Sequence, residues 1–284
     1  MKNLDRAIEG IRVKVQRAYD HFHDLCLRVQ VWSEDEANPN HVSITTQPNG
    51  RFHVYTLHFD RPLPVEWDII FGEAIHDLQS ALDSCIFQLY RANNGGAEST
   101  KTAFPIFEDP EKFSTGGERR IEGIGVGPRA FIKSLQPYPG RRHCVPNERL
   151  ADLHDFWNRD KHCEANMFGL WVSVDKAEIP SGCILFPTGL RRVHYDTAEA
   201  FLIVTTKPTF KMNVKPHIGI HATIARREAR GDGTWSSQFD LYGVVKTITD
   251  ALVASIGHQD GPIVVAWPED GVFDPPEWRD GRAR

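Results

Sequence analysis

The chain has 284 residues, of which 40% are hydrophobic and 25% charged, and a formal net charge of -5. That composition suits a soluble globular protein with a full core and excludes a global electrostatic pull toward nucleic acid or anionic membrane, though the doublets Arg119-Arg120, Arg141-Arg142, Arg191-Arg192 and Arg226-Arg227 leave room for a local basic patch. Five cysteines without a C-x-x-C pair suggest neither a disulfide framework nor a zinc ribbon and fit a reducing cytoplasm, and no apolar run approaches the roughly 20 residues that span a bilayer.

The first predicted element is a helix from Leu4 to Val31, with Ile8, Ile11, Val15, Ala18, Phe22, Leu25 and Val29 recurring at three- and four-residue intervals. Two β-patterned runs follow, His41 to Gln47 and Phe52 to Phe59, joined by the turn Pro48-Asn49-Gly50-Arg51 and read as a hairpin. A long helix is predicted from about Trp67 to Tyr90, with Phe71, Ile75, Leu78, Leu82, Cys85 and Leu89 facing a core. On an adjacent stripe lie His76, Gln79 and Asp83. Glu73 and His76 stand three apart, as in helical-bundle metal sites, but those sites need the motif twice and this chain has one copy.

TAFPIF (Thr102 to Phe107) carries a proline and predicts an edge strand or extended loop. The run Gly123-Ile124-Gly125-Val126-Gly127 superficially matches a phosphate loop. It follows no clear strand and lacks the lysine and hydroxyl of a P-loop, so a mobile connector is the plainer expectation. A short helix from Pro128 to Leu135 comes next.

A second key helix, from Pro146 to about Asn166, carries Leu150, Leu153 and Trp157 as its stripe, and the same spacing continued lands on Asp160. A carboxylate there needs neutralising by Lys161, His162, Arg159 or a group from the earlier helix. Beyond Phe168 the pattern turns to β in runs from Leu170, Cys183, Ala200, Phe210 and Ile218, an antiparallel meander. His217 and His221 share one strand face but lie about 13 Å apart at roughly 3.3 Å per residue. A last helix is expected from Phe239 to Ile256, then a proline-bearing tail.

The runs GEAIHDLQSALDSCIFQLY, TAFPIF, SLQPY and NRDKH, in this order and at these intervals, resemble a widespread set of uncharacterised bacterial and phage proteins with the pattern G-E-x-x-H-N-L-R-S-A-L-D, F-P-I, L-Q-P-Y and I-D-K-H-R. The resemblance covers roughly Pro64 to Cys163 and implies no particular reaction. Gln79 and Cys163 stand where that pattern has arginines, so any anion that those arginines hold would be held differently here. Arg149 and His154 also resemble, by their spacing on a helix, the arginine and histidine of HEPN domains, which cleave RNA or bind nucleotides in bacterial conflict systems. That resemblance implies metal-independent chemistry in which histidine moves a proton and arginine stabilises charge on a phosphodiester.

The expected fold class is α+β, a helical bundle packed beside a mostly antiparallel sheet, as one domain over 1–258 with an extended tail over 259–284. The expected function is a metal-independent, HEPN-like RNA-cleaving or phosphate-handling protein using His76, Asp160 and His162, assisted by Arg149, His154 or Arg159. It implies no cofactor and no membrane, RNA or a nucleotide as partner, and a homodimer as the candidate assembly. The alternative is a non-enzymatic binding or assembly protein whose buried polar network is structural; a divalent-metal site from Glu73, His76, Asp155 and His162 is the third reading.

Overall fold

The structure is a computed structural model that describes the backbone of residues 2–35, 41–46, 52–58, 64–139, 145–162, 168–176, 183–186, 197–205, 217–224 and 238–268. It divides into two compact units: Met1–Phe22, Ile69–Asn166 and Gln238–Arg284 form the first, and His23–Asp68 with Met167–Ser237 the second.

The first unit is helical. Its long elements are α1 (Lys2–Glu34, continuing into the second unit), α2 (Glu66–Asn93), α6 (Val145–His162) and α7 (Gln238–Ala254). Each carries the apolar stripe that its periodicity predicts, and the stripes bury one another. Ile11, Val15, Ala18 and Phe22 on α1, Ile75, Leu78, Leu82 and Leu89 on α2, Leu150, Leu153 and Phe156 on α6, and Leu241, Val244, Ile248 and Leu252 on α7 are all buried. Ring contacts mark the seams. Phe22 meets Phe71 at 5.8 Å between centroids, Phe71 meets Phe156 edge-on at 5.2 Å, and Tyr19 meets Tyr242 at 5.2 Å, while α6 packs on α7.

The α+β expectation is corrected by this arrangement. The residues whose side chains are described are mainly helical and make up no sheet. The physical reason lies within the first unit, where apolar stripes on the helices meet one another across α1–α2, α2–α6 and α1–α7. The described strands lie in the second unit: β1 (His41–Thr46), β2 (Phe52–His58), β3 (Phe168–Lys176), β4 (Cys183–Phe186), β5 (Thr197–Thr205) and β6 (His217–Ile224) pair antiparallel as β1-β2-β5-β4 and β3-β6. The expected strand from Phe210 and three of the arginine doublets, at 141, 191 and 226, lie outside the described residues.

Between α2 and α6 the chain runs through short elements. Asp109 caps α3 (Pro110–Lys112) by accepting from the N–H groups of Glu111 and Lys112, a π-helical turn spans Phe113–Gly117, and α4 (Glu118–Arg120) and α5 (Val126–Ser134) follow. TAFPIF is an extended loop, with Phe104, Pro105 and Ile106 buried. The glycine run is no connector. Gly125 N–H donates to Gln259 Oε1 at 2.8 Å, Gly127 N–H to the Gln259 carbonyl at 2.9 Å, and Gln259 Nε2 reaches the Leu89 carbonyl at 2.9 Å. A Cβ on Gly125 or Gly127 would run into Gln259 or the Gly261 carbonyl. The glycines are there so that two backbones can touch. Of the expected tail, Gln259 is thus a buried plug, and 269–284 lie outside the described residues.

Two buried acids give the unit an alkaline limit. Burial first, then the charges of Asp250 and Asp83 against the opposing pull of Lys14, push the Cys85 thiol up; burial, Tyr19, Asp250 and Asp20 push the Tyr242 phenol up. Both are neutral when protonated, so the unfolded chain releases these protons before the folded one. Their contribution to stability is complete below about pH 8.5, where a free thiol begins to ionise, and declines as pH rises beyond it. Melting temperature should therefore fall above that pH, and less steeply in Cys85→Ala than in the parent; parallel curves would refute the assignment.

Candidate functional site

The GEAIHDLQSALD segment of α2 divides its side chains among three tasks. Ala74, Ile75, Leu78, Ala81 and Leu82 fill the core. Gln79 and Asp83 clamp the following loop: Asp83 Oδ1 accepts from Gln79 Nε2 at 3.1 Å and from Phe104 N–H at 2.8 Å. The clamp continues through Gln136 of SLQPY, whose Oε1 accepts from Phe107 N–H at 3.0 Å and whose Nε2 donates to the carbonyls of Pro105 at 2.9 Å and Ile132 at 3.0 Å. Asn147, in the first turn of α6, then donates to the Gln136 carbonyl at 2.9 Å. The runs GEAIHDLQSALD, TAFPIF and SLQPY are thus joined by one chain of side-chain to backbone bonds. A loop with a proline and buried carbonyls needs such partners.

The clamp also fixes the direction of α6. Its first turn is tied through Gln136 and Phe104 toward Asp83, whereas Phe156 and Trp157 meet Phe71 and His76, so α2 and α6 run antiparallel. His76 is exposed, and its ring lies 5.1 Å from that of Trp157. Trp157 is half-buried, not a core residue, and Phe156 takes the core position. One turn beyond Trp157 the α6 backbone carries Asp160 and His162 toward the end of α2 that holds Glu73; the side chains of Asp160 and His162 lie outside the described residues.

The remaining candidates are placed as follows. Arg149 is nearly buried and its Nη1 donates to Asp152 Oδ2 at 3.0 Å; both partners sit on α6. His154 Nε2 lies 2.9 Å from Asn158 Nδ2, and Arg159 is half-buried. Arg149 and His154 are five residues apart, nearly half a turn out of phase, so the helix does not stack them on one face. Among the described residues no group of three or more His, Cys, Asp or Glu side chains is placed to hold a metal ion.

A cluster that the sequence reading passed over lies between α1 and α2. Asp77 is buried; its Oδ2 lies 3.4 Å from Arg17 Nε and 3.9 Å from His21 Nε2, and His21 Nε2 lies 3.8 Å from Glu73 Oε2. Neither Asp77 Oδ2 nor His21 Nε2 makes a hydrogen bond in the structure. One turn along, Lys14 Nζ donates to Ser80 Oγ and Ser84 Oγ, each at 2.8 Å. The signal was present: Ala74, Asp77 and Ala81 recur at three and four residues, which places the carboxylate on a stripe of small buried residues.

No protein-family model matches this chain, and no curated protein or solved structure does either. No helix among the described residues is long and apolar enough to cross a membrane.

Proposed function

We propose that this chain is a non-enzymatic binding or assembly protein that presents the seam between α2 and α6, with His76 and Trp157 at its surface. One observation carries the reading: most of the buried polar side chains placed between α2 and α6 are committed to architecture, with Asp77 on the α1 side of α2 the exception. Gln79, Asp83, Gln136 and Asn147 hold the loop between α2 and α6, and Arg149 is held by Asp152. An arginine occupied by a neighbouring carboxylate in its own helix is poorly placed to meet charge developing on a substrate. His76, by contrast, has no core to fill. An exposed histidine ring tilted against a half-buried tryptophan suits recognition of a partner.

The second reading is a metal-independent RNA-cleaving or phosphate-handling site. It is favoured by His76 being open to solvent while residues 160–162 of α6 approach the Glu73 end of α2. There His76 would move a proton, with Asp160, His162, Arg149, His154 and Arg159 as the candidate supporting groups.

The test compares the parent with His76→Ala in three measurements: thermal melting, turnover of single-stranded RNA and nucleoside phosphates without divalent metal, and self-association or RNA binding. Losing an exposed ring contact costs about 0.5–1.5 kcal/mol, so both proteins should fold. The binding reading expects no turnover by either protein and weakened association in the variant. Turnover by the parent that His76→Ala abolishes would replace it with the second reading.

A further inference from the structure

Beside the π-helical turn the surface opens into a cavity of about 190 Å³. Its body is apolar: the Phe113 ring, Ile121, Ala130 and Val126, the last 70% exposed. Its charged rim is Arg129 and Lys133 with Glu118. Glu118 Oε1 takes Lys133 Nζ at 3.1 Å, so those two charges balance each other. Arg129 is left without a carboxylate partner among the described residues. The rim therefore carries one uncompensated cation at the mouth of an apolar hollow.

We infer that this cavity is a binding site for a small amphipathic carboxylate, an apolar body of about one aromatic ring bearing a single anionic head. Three observations converge on that chemistry. The volume fits, since a protein cavity of about 150 Å³ already accepts benzene, and the remaining space suits a carboxylate at the mouth. The charge fits, because a guanidinium takes a carboxylate bidentately and Arg129 is free to do so. The wall is a device in itself. Phe113 opens a π-helical turn, a form that occurs mostly as single turns and frequently at functional sites, and Gly117 at its far end lies so close to the Phe113 ring that a Cβ there would collide with it. The widened turn thus fixes the ring that floors the cavity. A neutral aromatic would fill the same hollow without engaging Arg129, and a larger acid would protrude past Val126.

Benzoate is the probe, titrated into the intact chain while the methyl signals of Ile121 and Val126 are followed by NMR. Saturable shifts at both are expected, with benzamide binding about tenfold or more weakly. Arg129→Gln, a change at an exposed position, should bring benzoate down to the benzamide level, and Val126→Asp should abolish binding by facing the anion with a like charge. Lys246→Gln, in the separate cavity between α1 and α7, should change nothing. Equal binding of benzoate and benzamide, undiminished binding by Arg129→Gln, or no saturable shift at Ile121 and Val126 would each overturn the inference.

Discussion

Gln136→Leu should be the most damaging single change in the loop between α2 and α6. Leucine fills nearly the same volume, so the loss is one of hydrogen bonding alone. The amide is completely buried, and it satisfies Phe107 N–H and the carbonyls of Pro105 and Ile132. The Ile132 carbonyl keeps its bond from Leu135 N–H, which leaves Phe107 N–H and the Pro105 carbonyl to go unpaired. A buried backbone group left without a partner costs about 1–3 kcal/mol, so the two together come to about 2–6 kcal/mol. Against a total stability of about 5–15 kcal/mol for a domain, that is a large share. Urea denaturation should show a lower midpoint at unchanged slope. Gln136→Glu should also weaken the clamp, because a carboxylate cannot donate to the Pro105 carbonyl. A Gln136→Leu protein as stable as the parent would mean that the loop finds its partners elsewhere.

Gly127→Ala should be the second. Inside a helix this substitution ordinarily stabilises by about 0.5–1 kcal/mol. Here the new methyl group would land on the Gly261 carbonyl oxygen, which is backbone and has no flexible end to yield. The segment at 259–261 must then withdraw and take three bonds with it: Gly127 N–H to the Gln259 carbonyl, Gly125 N–H to Gln259 Oε1, and Gln259 Nε2 to the Leu89 carbonyl. At roughly 1 kcal/mol each, the net loss is about 2–2.5 kcal/mol even after the helical gain. Amide exchange at Gly125 and Gly127 should accelerate, and protease should cut more readily after Gln259. Gly116→Ala is the control, since its Cβ would meet Phe107 only at ordinary contact distance, 3.6 Å and beyond. Equal behaviour of the two variants would show that the close approach is not what the glycine provides.

The long helices were legible because burial imposes a period, and Ile11, Val15, Ala18 and Phe22 or Leu241, Val244, Ile248 and Leu252 display it without reference to anything else. What periodicity does not encode is which face meets which. Trp157 fits the α6 stripe as well as Phe156 does, yet the structure buries Phe156 and gives Trp157 to His76. The fold class was misjudged for a related reason: alternating runs announce strands but not which compact unit they belong to. At the candidate site, His76 and the carboxylates of α2 could be named from the sequence, but their division of labour could not. Asp83 became a loop anchor through Phe104, 21 residues on, and Asp77 found Arg17 and His21 on α1. Such pairings depend on tertiary closure. The glycine run was misread because its partner, Gln259, lies 134 residues from Gly125, beyond any local pattern.

That last separation governs how the molecule can assemble in time. The bonds of Gln259 close loops of 134 and 170 residues, and α7 must arrive before α6 has its full neighbour. Contacts so remote in sequence form late and slow the search for the native state. As the chain leaves the ribosome, α1 and α2 can pair early, but Gly125 and Gly127 present open N–H groups until residue 259 has been made. Synthesis at about 5–20 residues per second leaves that interval at roughly 7–27 s, during which the incomplete bundle exposes apolar surface and invites chaperones or association with its own kind.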